Sequence, residues 1–323
     1  MKKTMSVLLM AGILGVLAMA CASEKAPAKY GKPDLSPLST KEKAEYERIA
    51  REWMNRLWTN DYSGCVPVIY VDQPYKAPPW QYPMVNAEFE KSPGDYCWVS
   101  FFNRNSRDVC GFINSAYKKV PYNRKYHGVP DAIHSTEEQA KARVNEIAEM
   151  LGVTNIWDAT KYDLRSKYFI EGIWAFFFSK RINGYPTTHP LTVMVADLPG
   201  LPLHWWTNAT DWEGTDIPTN VVLTSEQAGK KSVEYIKKYL IGSKDMGETT
   251  YVTNSLEYVS PNYNYIRPDD GVFGSFSDYV SKKPELNLAW KCYFTDPDRT
   301  KQRIPPIIIY VDAATGEMLG GTD

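Results

Sequence analysis

Two segments of this chain repeat each other, and no other sequence feature restricts the possible folds as strongly. Residues 174–200 and 290–316 have equal lengths, because 200 − 174 and 316 − 290 both give 26 positions. At a constant offset of 116 residues, Trp174 falls on Trp290 and Gly200 on Gly316. The other matches are Phe178 with Phe294, Pro190 with Pro306 and Val195 with Val311. A fixed offset of this kind usually reports a supersecondary unit that is used more than once, so the pattern predicts two copies of one unit.

Each copy carries the signals of a β-hairpin. In the first copy a short apolar and aromatic run (174–178) is followed by an Asn-Gly turn dipeptide and then by an alternating segment (191–195). In the second copy the corresponding strand positions are residues 288–294 and 307–311. Alternation and a turn dipeptide between two apolar runs are typical of antiparallel strands.

A helix is predicted upstream of each hairpin, and both helices begin alike. Ser135 with Glu138, and Thr224 with Gln227, have the spacing of a capping box, in which a hydroxyl and a longer polar side chain satisfy early backbone N–H groups. The apolar face of the first helix comprises Ala140, Val144, Ile147, Ala148 and Leu151, with Gly152 as the stop. A helix followed by antiparallel strands, twice, predicts an α+β fold of helices packed on an antiparallel sheet.

The second copy is longer than the first. The triplet Glu-Gln-Ala occurs at residues 138–140 and 226–228, an offset of 88, whereas the strand segments are offset by 116. The second copy therefore has 28 additional residues (116 − 88), which fall within 242–286. This stretch is rich in Tyr, Asn, Pro and Gly, a composition that favours an excursion loop or irregular hairpins over regular elements.

The region before the repeats also has folded character. Residues 40–58 have an amphipathic helical pattern, with Tyr46, Ile49, Ala50, Trp53 and Leu57 on one face. Residues 65–71 are predicted as a strand, and the tetrapeptide at 69–72 echoes the one at 309–312. A single tetrapeptide does not establish a third copy.

The two repeats resemble a known family. The tail LAWKCYFTDP…IPPIIIYVDAATGEMLGG resembles the end of a PepSY-type domain, in which a strand, a D-A-x-T-G-E turn and another strand follow each other. The segment FFFSKRINGYP…TVMVADLPGLPLHWW is similar to the first unit of tandem PepSY-like envelope lipoproteins. The resemblance covers roughly residues 131–323 and implies small PepSY or cystatin-like units, one helix on an antiparallel sheet. It also implies that the protein binds or restrains a partner protein, for example a peptidase, and has no catalytic residues or cofactor of its own.

The two copies differ at the turn that closes the hairpin. The first copy has ADLPG where the family pattern has D-A-x-T-G. In the second copy we expect Asp312 to accept backbone hydrogen bonds and Gly316 to adopt a positive φ.

The N-terminus has the pattern of an export signal. Lys2 and Lys3 precede an apolar stretch that is short for a permanent membrane span, and Ala18-Met19-Ala20 then precedes Cys21. Cleavage before Cys21 would make this cysteine the lipidated first residue of an envelope lipoprotein, and cleavage at an ordinary A-x-A site would give a secreted protein. We favour lipidation, because a polar tether follows the cysteine.

These observations divide the chain into five parts. We predict a signal peptide at residues 1–20, a tether at 21–38, an N-terminal α+β region at 39–130, a first PepSY-like unit at 131–215 and a second at 216–323 with an insertion at 242–286. The net charge of −1 becomes −3 when Lys2 and Lys3 are removed (−1 − 2), so the protein has no basic field that would attract nucleic acid.

Four further cysteines remain in the exported part of the chain. An even number of cysteines in an exported protein allows two disulfides. Cys97 and Cys110 would face each other if residues 98–102 and 108–112 form a hairpin, which would leave Cys65 with Cys292. The alternative interpretation is that all four are free thiols in the core.

No motif indicates a catalytic or metal site. The histidines His127, His134, His189 and His204 lack the spacing that places two ligands on one helix face, and no nucleophile-elbow or nucleotide-binding motif occurs.

The best candidate binding surface is an aromatic set formed by Trp205, Trp206, Trp212, Tyr263 and Tyr265. Such side chains give a large contact area at a low entropic cost, although packing of the hairpins is an alternative role. The rival function is a carbohydrate-active or cell-wall-processing enzyme with an aromatic cleft and paired carboxylates.

Overall fold

The computed structural model describes ten parts of the chain, residues 36–57, 62–71, 84–93, 95–101, 108–114, 133–208, 217–239, 250–259, 286–295 and 306–322. In these parts every helix is followed by four strands. The first group is α1 (Thr40–Leu57), β1 (Val68–Val71), β2 (Val85–Ser92), β3 (Asp95–Phe101) and β4 (Val109–Asn114). The second is α2 (Glu137–Met150), β5 (Tyr162–Ile170), β6 (Ile173–Ile182), β7 (Tyr185–Ala196) and β8 (Leu203–Asn208). The third is α3 (Ser225–Tyr239), β9 (Thr250–Val259), β10 (Asn287–Thr295), β11 (Ile307–Asp312) and β12 (Met318–Thr322).

All twelve described strands belong to one sheet, which has a larger and a smaller part. The larger part has the order β1-β2-β3-β4-β8-β7-β6-β5, and every neighbouring pair is antiparallel. The smaller part is the antiparallel series β9-β10-β11-β12. A single parallel pairing, Thr187 of β7 with Tyr258 of β9, joins the two parts. The protein is therefore a mixed α+β fold dominated by its sheet, which confirms the predicted α+β class.

The two sequence repeats have the same strand register. Trp174 pairs with Val195 in the β6–β7 hairpin, and Trp290 pairs with Val311 in the β10–β11 hairpin. The matched tryptophans also make matched contacts. Trp174 Nε1 donates to Ser135 Oγ at 2.9 Å and Trp290 Nε1 donates to the Leu223 carbonyl at 3.0 Å, so each indole binds the residue just before a helix cap.

Both predicted capping boxes are present, but the first is shifted by one residue. The N-cap of α2 is Thr136, whose partner is Gln139, and not Ser135 with Glu138. The hydroxyl of Ser135 instead donates to Asp197 and accepts from Trp174, because it lies beside the end of β7. In front of α3 the box forms between Thr224 and Gln227 as predicted. A third box, which was not predicted, forms between Ser39 and Glu42 ahead of α1.

The helices α1 and α2 cover the same face of the larger part of the sheet. Their buried side chains share one apolar core with alternate residues of the strands, including Phe89, Phe101, Phe112, Phe176 and Trp206. The predicted face of α2 is buried as expected at Ala140, Val144, Ile147 and Ala148. In α1 Met54 is buried and Trp53 only half-buried, whereas the sequence pattern had assigned Trp53 to the core. The helix α3 packs on the smaller part of the sheet through Ala228 and Ile236.

Four strands, β2, β5, β8 and β9, were not predicted, and β5 and β9 show why. The strand β5 has Arg165 and Lys167 in its middle and lies at an outer edge, so its sequence lacks an apolar alternation. The strand β9 falls inside 242–286, where loops or irregular hairpins were expected, and it pairs with β10 along its length. The expectation was wrong for residues 250–259, and 242–249 and 260–285 lie outside the described residues. The strand β9 was missed because it includes the polar but buried Glu257, which pairs with Arg165 from a distant part of the chain.

The turn after β11 has the geometry predicted from the family resemblance. Asp312 Oδ1 accepts the backbone N–H groups of Ala314 and Thr315 at 2.9 and 2.8 Å. Gly316 has a φ of 76°, and its matched residue Gly200 has a φ of 81° although the intervening sequence differs. Both turns therefore depend on a residue without a Cβ.

Substitution of these two glycines should have unequal effects. Both alanines would be forced into a left-handed conformation, which costs about 1–2 kcal/mol. At Gly316 the new Cβ would also lie 2.6 Å from Lys231 Cε and 3.1 Å from Leu223 Cδ2, whereas at Gly200 it would meet nothing within 4 Å. We expect Gly316→Ala to lower the free energy of unfolding more than Gly200→Ala, measured by urea denaturation. Equal losses would show that Lys231 and Leu223 move aside without cost.

Candidate functional site

The adjacent tryptophans of β8 lie on opposite faces of the sheet. Trp206 is fully buried in the core beneath the helices, paired with Phe112 and Val193 on its two sides. Trp205 is half-buried on the other face, and its Nε1 donates to Thr207 Oγ1 at 2.5 Å. The prediction that both belong to one binding surface was therefore wrong for Trp206, because side chains alternate along a strand.

Trp205 is part of a line of side chains that crosses six adjacent strands. Each member is the direct cross-strand partner of the next, so all share one face. We call this set the transverse row, and it consists of Trp98, Ile113, Trp205, Met194, Ala175 and Tyr168. Five steps between neighbouring strands give it a length of about 24 Å. A second aromatic ring, Phe177, lies beside it at 5.5 Å from the Tyr168 ring.

The transverse row is separate from the protein's apolar cores. Among the described residues four apolar clusters form, and no member of the row belongs to any of them or packs against one. Trp98, Ile113, Trp205 and Tyr168 are half-buried, while Met194 and Ala175 in the middle are buried. The row is thus a line of apolar side chains on the face opposite α1 and α2, partly exposed at four of its six members.

Of the transverse row, the sequence analysis identified only Trp205. The strand register decides which face of the sheet Trp98 and Tyr168 occupy, so nothing in the sequence linked these two residues with Trp205. The other members of the predicted aromatic set, Trp212, Tyr263 and Tyr265, lie outside the described residues, as does the predicted lipidation site Cys21.

Apart from the transverse row, a group of charged side chains lies where the larger and the smaller part of the sheet meet. Glu257 of β9 is 1% exposed, and its Oε1 accepts from Arg165 Nη2 at 2.6 Å and from Lys291 Nζ at 3.2 Å. Arg165 is also 3.3 Å from Asp163 Oδ2 and donates to Ser179 Oγ at 3.0 Å. Burial acts to lower the pKa of Arg165, but the neighbouring carboxylates outweigh it and the pKa is raised. Each charge here is matched within the protein, so we interpret the group as an ion-pair network that joins β5 to β9 and β10.

The RINGYP segment of the first repeat, residues 181–186, lies where the two parts of the sheet meet. Asn183 and Gly184 form its turn with φ values of 50° and 83°, as the Asn-Gly dipeptide predicted. The Asn183 amide donates to the hydroxyl of Tyr258, which is fully buried, at 3.2 Å. Tyr185 packs against the same Tyr258 ring with centroids 6.2 Å apart. The motif residues therefore attach the smaller part of the sheet to the larger.

Two further observations concern the metal-ligating and carboxylate side chains of the described residues. No group of three or more metal-ligating side chains occurs in these parts of the chain. Hydrogen bonds from Lys141, Thr160 and Lys230 respectively lower the pKa values of Glu137, Asp158 and Glu226. A glycosidase acid needs the opposite shift.

The four cysteines are free thiols. The strands that carry Cys97 and Cys110 do pair, but Cys97 lies opposite Asn114 and Cys110 falls at an irregularity of the ladder, so the two do not face each other. The predicted Cys97–Cys110 and Cys65–Cys292 disulfides are therefore absent, and the alternative of free thiols holds. Cys97, Cys110 and Cys292 are buried, and Cys65 is half-buried.

Thiol reactivity should follow this order of burial. Burial raises the pKa values of Cys97 and Cys110 far above the ordinary range and that of Cys292 to about 11. The pKa of the Cys292 thiol is about 11 in the folded protein, against about 9 when unfolded. As the pH rises from about 9 towards about 11 the thiol ionises in the unfolded protein first, so the free energy of unfolding falls over this range. In native protein at pH 8 we expect a maleimide to label Cys65 alone among these four, with the other three labelled only in denaturant, as read by peptide mass spectrometry. Rapid native labelling of Cys97 or Cys110 would contradict the described packing.

Within the described residues no helix is both long and apolar enough to cross a bilayer.

The comparisons with known proteins give one weak structural likeness. No family model matches the chain, and no curated protein matches it. Among solved structures, the chain is similar to the C-terminal domain of YpeB from Bacillus megaterium, with 10% sequence identity, a TM-score of 0.42, and coverage of 88% of this chain and 97% of that one. A TM-score of this size does not establish a shared fold, and the function of the chain has to be inferred from its own contacts.

Proposed function

We propose that this protein is a non-catalytic scaffold that binds, and so restrains, a partner protein outside the cytoplasm. The observation that carries the proposal is the transverse row, a line of aromatic and aliphatic side chains about 24 Å long that belongs to none of the described cores. The exposed parts of its four half-buried members are apolar surface, which is costly to leave in water and typically serves association. The motif resemblance over residues 131–323 suggests that the partner is a peptidase.

We extend the proposal to the architecture of the chain. We interpret the three successive groups of one helix and four strands as copies of one PepSY-like unit, the first of which has no clear sequence repeat. Each group begins with a capping box, at Ser39, Thr136 and Thr224, and continues as a meander of neighbouring strands. In this interpretation the first two copies join edge to edge through β4 and β8 and thereby create a face broad enough for the transverse row.

The proposed location is the cell envelope, with the chain anchored in a membrane through a lipid on Cys21. The sequence supports this location through the basic start, the short apolar stretch and the cysteine that follows Ala18-Met19-Ala20. The absence of enzymatic activity is likewise a proposal, supported by the matched charges of the Glu257 network and the lowered carboxyl pKa values.

Site-specific photo-crosslinking in intact cells tests the function. A benzophenone amino acid at Tyr168, on the transverse row, should give a discrete adduct with one partner protein after irradiation. The matched control carries the same group at Met150, which is exposed at the end of α2. If the partner is a peptidase, its proteolytic rate should fall when the purified chain is added.

Adducts of equal yield from Tyr168 and Met150, or none from either, would contradict the proposed function. A cell-wall glycan as the ligand would favour the rival function, because aromatic surfaces also stack against sugars.

A further inference from the structure

The two ends of the transverse row differ in their charge. At the β3 end, Trp98 is directly opposite Glu88 of β2, and Glu90 lies two residues further along the same face. Glu88 is half-buried and Glu90 is exposed. Within the described residues neither carboxylate has an ion pair or a side-chain hydrogen bond. The row therefore begins at an uncompensated negative charge.

At the β5 end the charges are already matched. Arg165, the basic side chain near Tyr168 in the chain, is committed to Glu257 and Asp163. Lys167 points towards α2 and pairs with Glu137 at 2.5 Å. These two cations are held away from the row, so neither offers a binding partner for an incoming acid.

A half-buried carboxylate beside apolar surface is more stable when a cation approaches it. Glu88 lies between the exposed Val68 on β1 and the indole of Trp98, so a bound apolar segment would remove part of its remaining hydration. Such a segment would have to supply a positive charge at that point, because an uncompensated charge is expensive to desolvate.

We propose that the transverse row binds a polypeptide segment of the partner that is apolar along its length and carries a lysine or arginine against Glu88. This proposal rests on the proposed function and specifies the chemistry of the partner at the same surface. The apolar side chains of the segment would lie over Ile113 and Trp205, and the basic residue would set its direction along the row.

Direct binding of two matched peptides tests the proposal on the full chain. An extended segment rises about 3.3 Å per residue, so about eight residues cover the row. One fluorescein-labelled peptide of this length has leucine at alternate positions, serine at the others and a single lysine at one end, and its control has glutamate in place of that lysine. Fluorescence anisotropy should give about tenfold tighter binding of the lysine peptide, and the variant Glu88→Lys should reverse that preference.

Three further variants separate the row from general charge effects. Glu149→Lys makes the same change of net charge on the exposed end of α2 and should leave the preference unchanged. Trp205→Ala should weaken binding of the lysine peptide about tenfold or more, because aromatic anchors dominate such contacts. Glu90→Lys should reduce the preference less than Glu88→Lys, since Glu90 lies at the side of the row.

The inference is overturned if neither peptide binds, if Glu88→Lys leaves the preference unchanged, or if Glu149→Lys alters it equally. It is also overturned if soluble peptidoglycan strands bind in a Trp205-dependent way and the peptides do not. If a partner protein crosslinks at Tyr168 but the lysine peptide binds no more tightly than the glutamate peptide, the proposed function is supported. In that case only the proposed basic residue of the bound segment is rejected.

Discussion

The Trp206→Ala variant is expected to lose about 4 kcal/mol of unfolding free energy relative to the parent protein. Trp206 is fully buried, and it lies on β8 at the seam where that strand pairs with β4. Its removal would leave a cavity between Phe112 and Val193, under both α1 and α2. Urea denaturation followed by circular dichroism would measure the loss.

Two matched variants make this prediction specific. Trp206→Phe should cost far less, because it keeps most of the ring and removes an indole N–H that has no hydrogen-bond partner among the described residues. Trp205→Ala, one residue away on the other face, should cost less than about 1 kcal/mol, since Trp205 packs against none of the described cores. A loss at Trp205 as large as that at Trp206 would mean that the transverse row is covered in the native protein, and would remove the basis of the proposed function.

The Glu257→Ala variant is expected to lose about 3 kcal/mol. It would leave Lys291, whose side chain is 12% exposed, and Arg165, at 31%, without the carboxylate that both contact. The cost comes chiefly from the uncompensated positive charges, since the net worth of a buried ion pair is small. Thermal or urea unfolding would show the loss.

A double-mutant cycle tests the cause of that loss. If the charge left on Arg165 is responsible, Glu257→Ala combined with Arg165→Ala should lose less than the sum of the two single variants. Asp163→Ala is the control, because its contacts at 3.3 and 3.5 Å are partly exposed and should be worth less than about 1 kcal/mol. Strict additivity of Glu257 and Arg165 would indicate that they contribute independently.

Local sequence patterns correctly predicted the elements that depend on near neighbours. The capping box at Thr224 and Gln227, the Asn183-Gly184 turn and the Asp312 turn all form from residues within a few positions of each other. The repeat at an offset of 116 correctly predicted two matched hairpins, in which Trp174 pairs with Val195 and Trp290 with Val311.

The transverse row could not be predicted from local sequence patterns, because its members lie on six different strands. The sequence placed Trp205 and Trp206 on one surface, whereas strand alternation separates them. Trp98 and Tyr168 could not be joined to Trp205 because they lie on strands that reach it only through the β4–β8 pairing and the order β8-β7-β6-β5. The same limit applies to β9, where burial of Glu257 depends on Arg165 from another group of strands.

By itself, the sequence determined the α+β class, the two matched hairpins and the capping box at Thr224 and Gln227, while the export signal stays a prediction. Only the tertiary structure decided which strand edges join, which face of the sheet the helices cover and which side chains therefore remain outside every described core. The physical reason is that turns and caps are set by bonds between neighbours in the chain, whereas the pairing of distant strands depends on the summed burial of many residues.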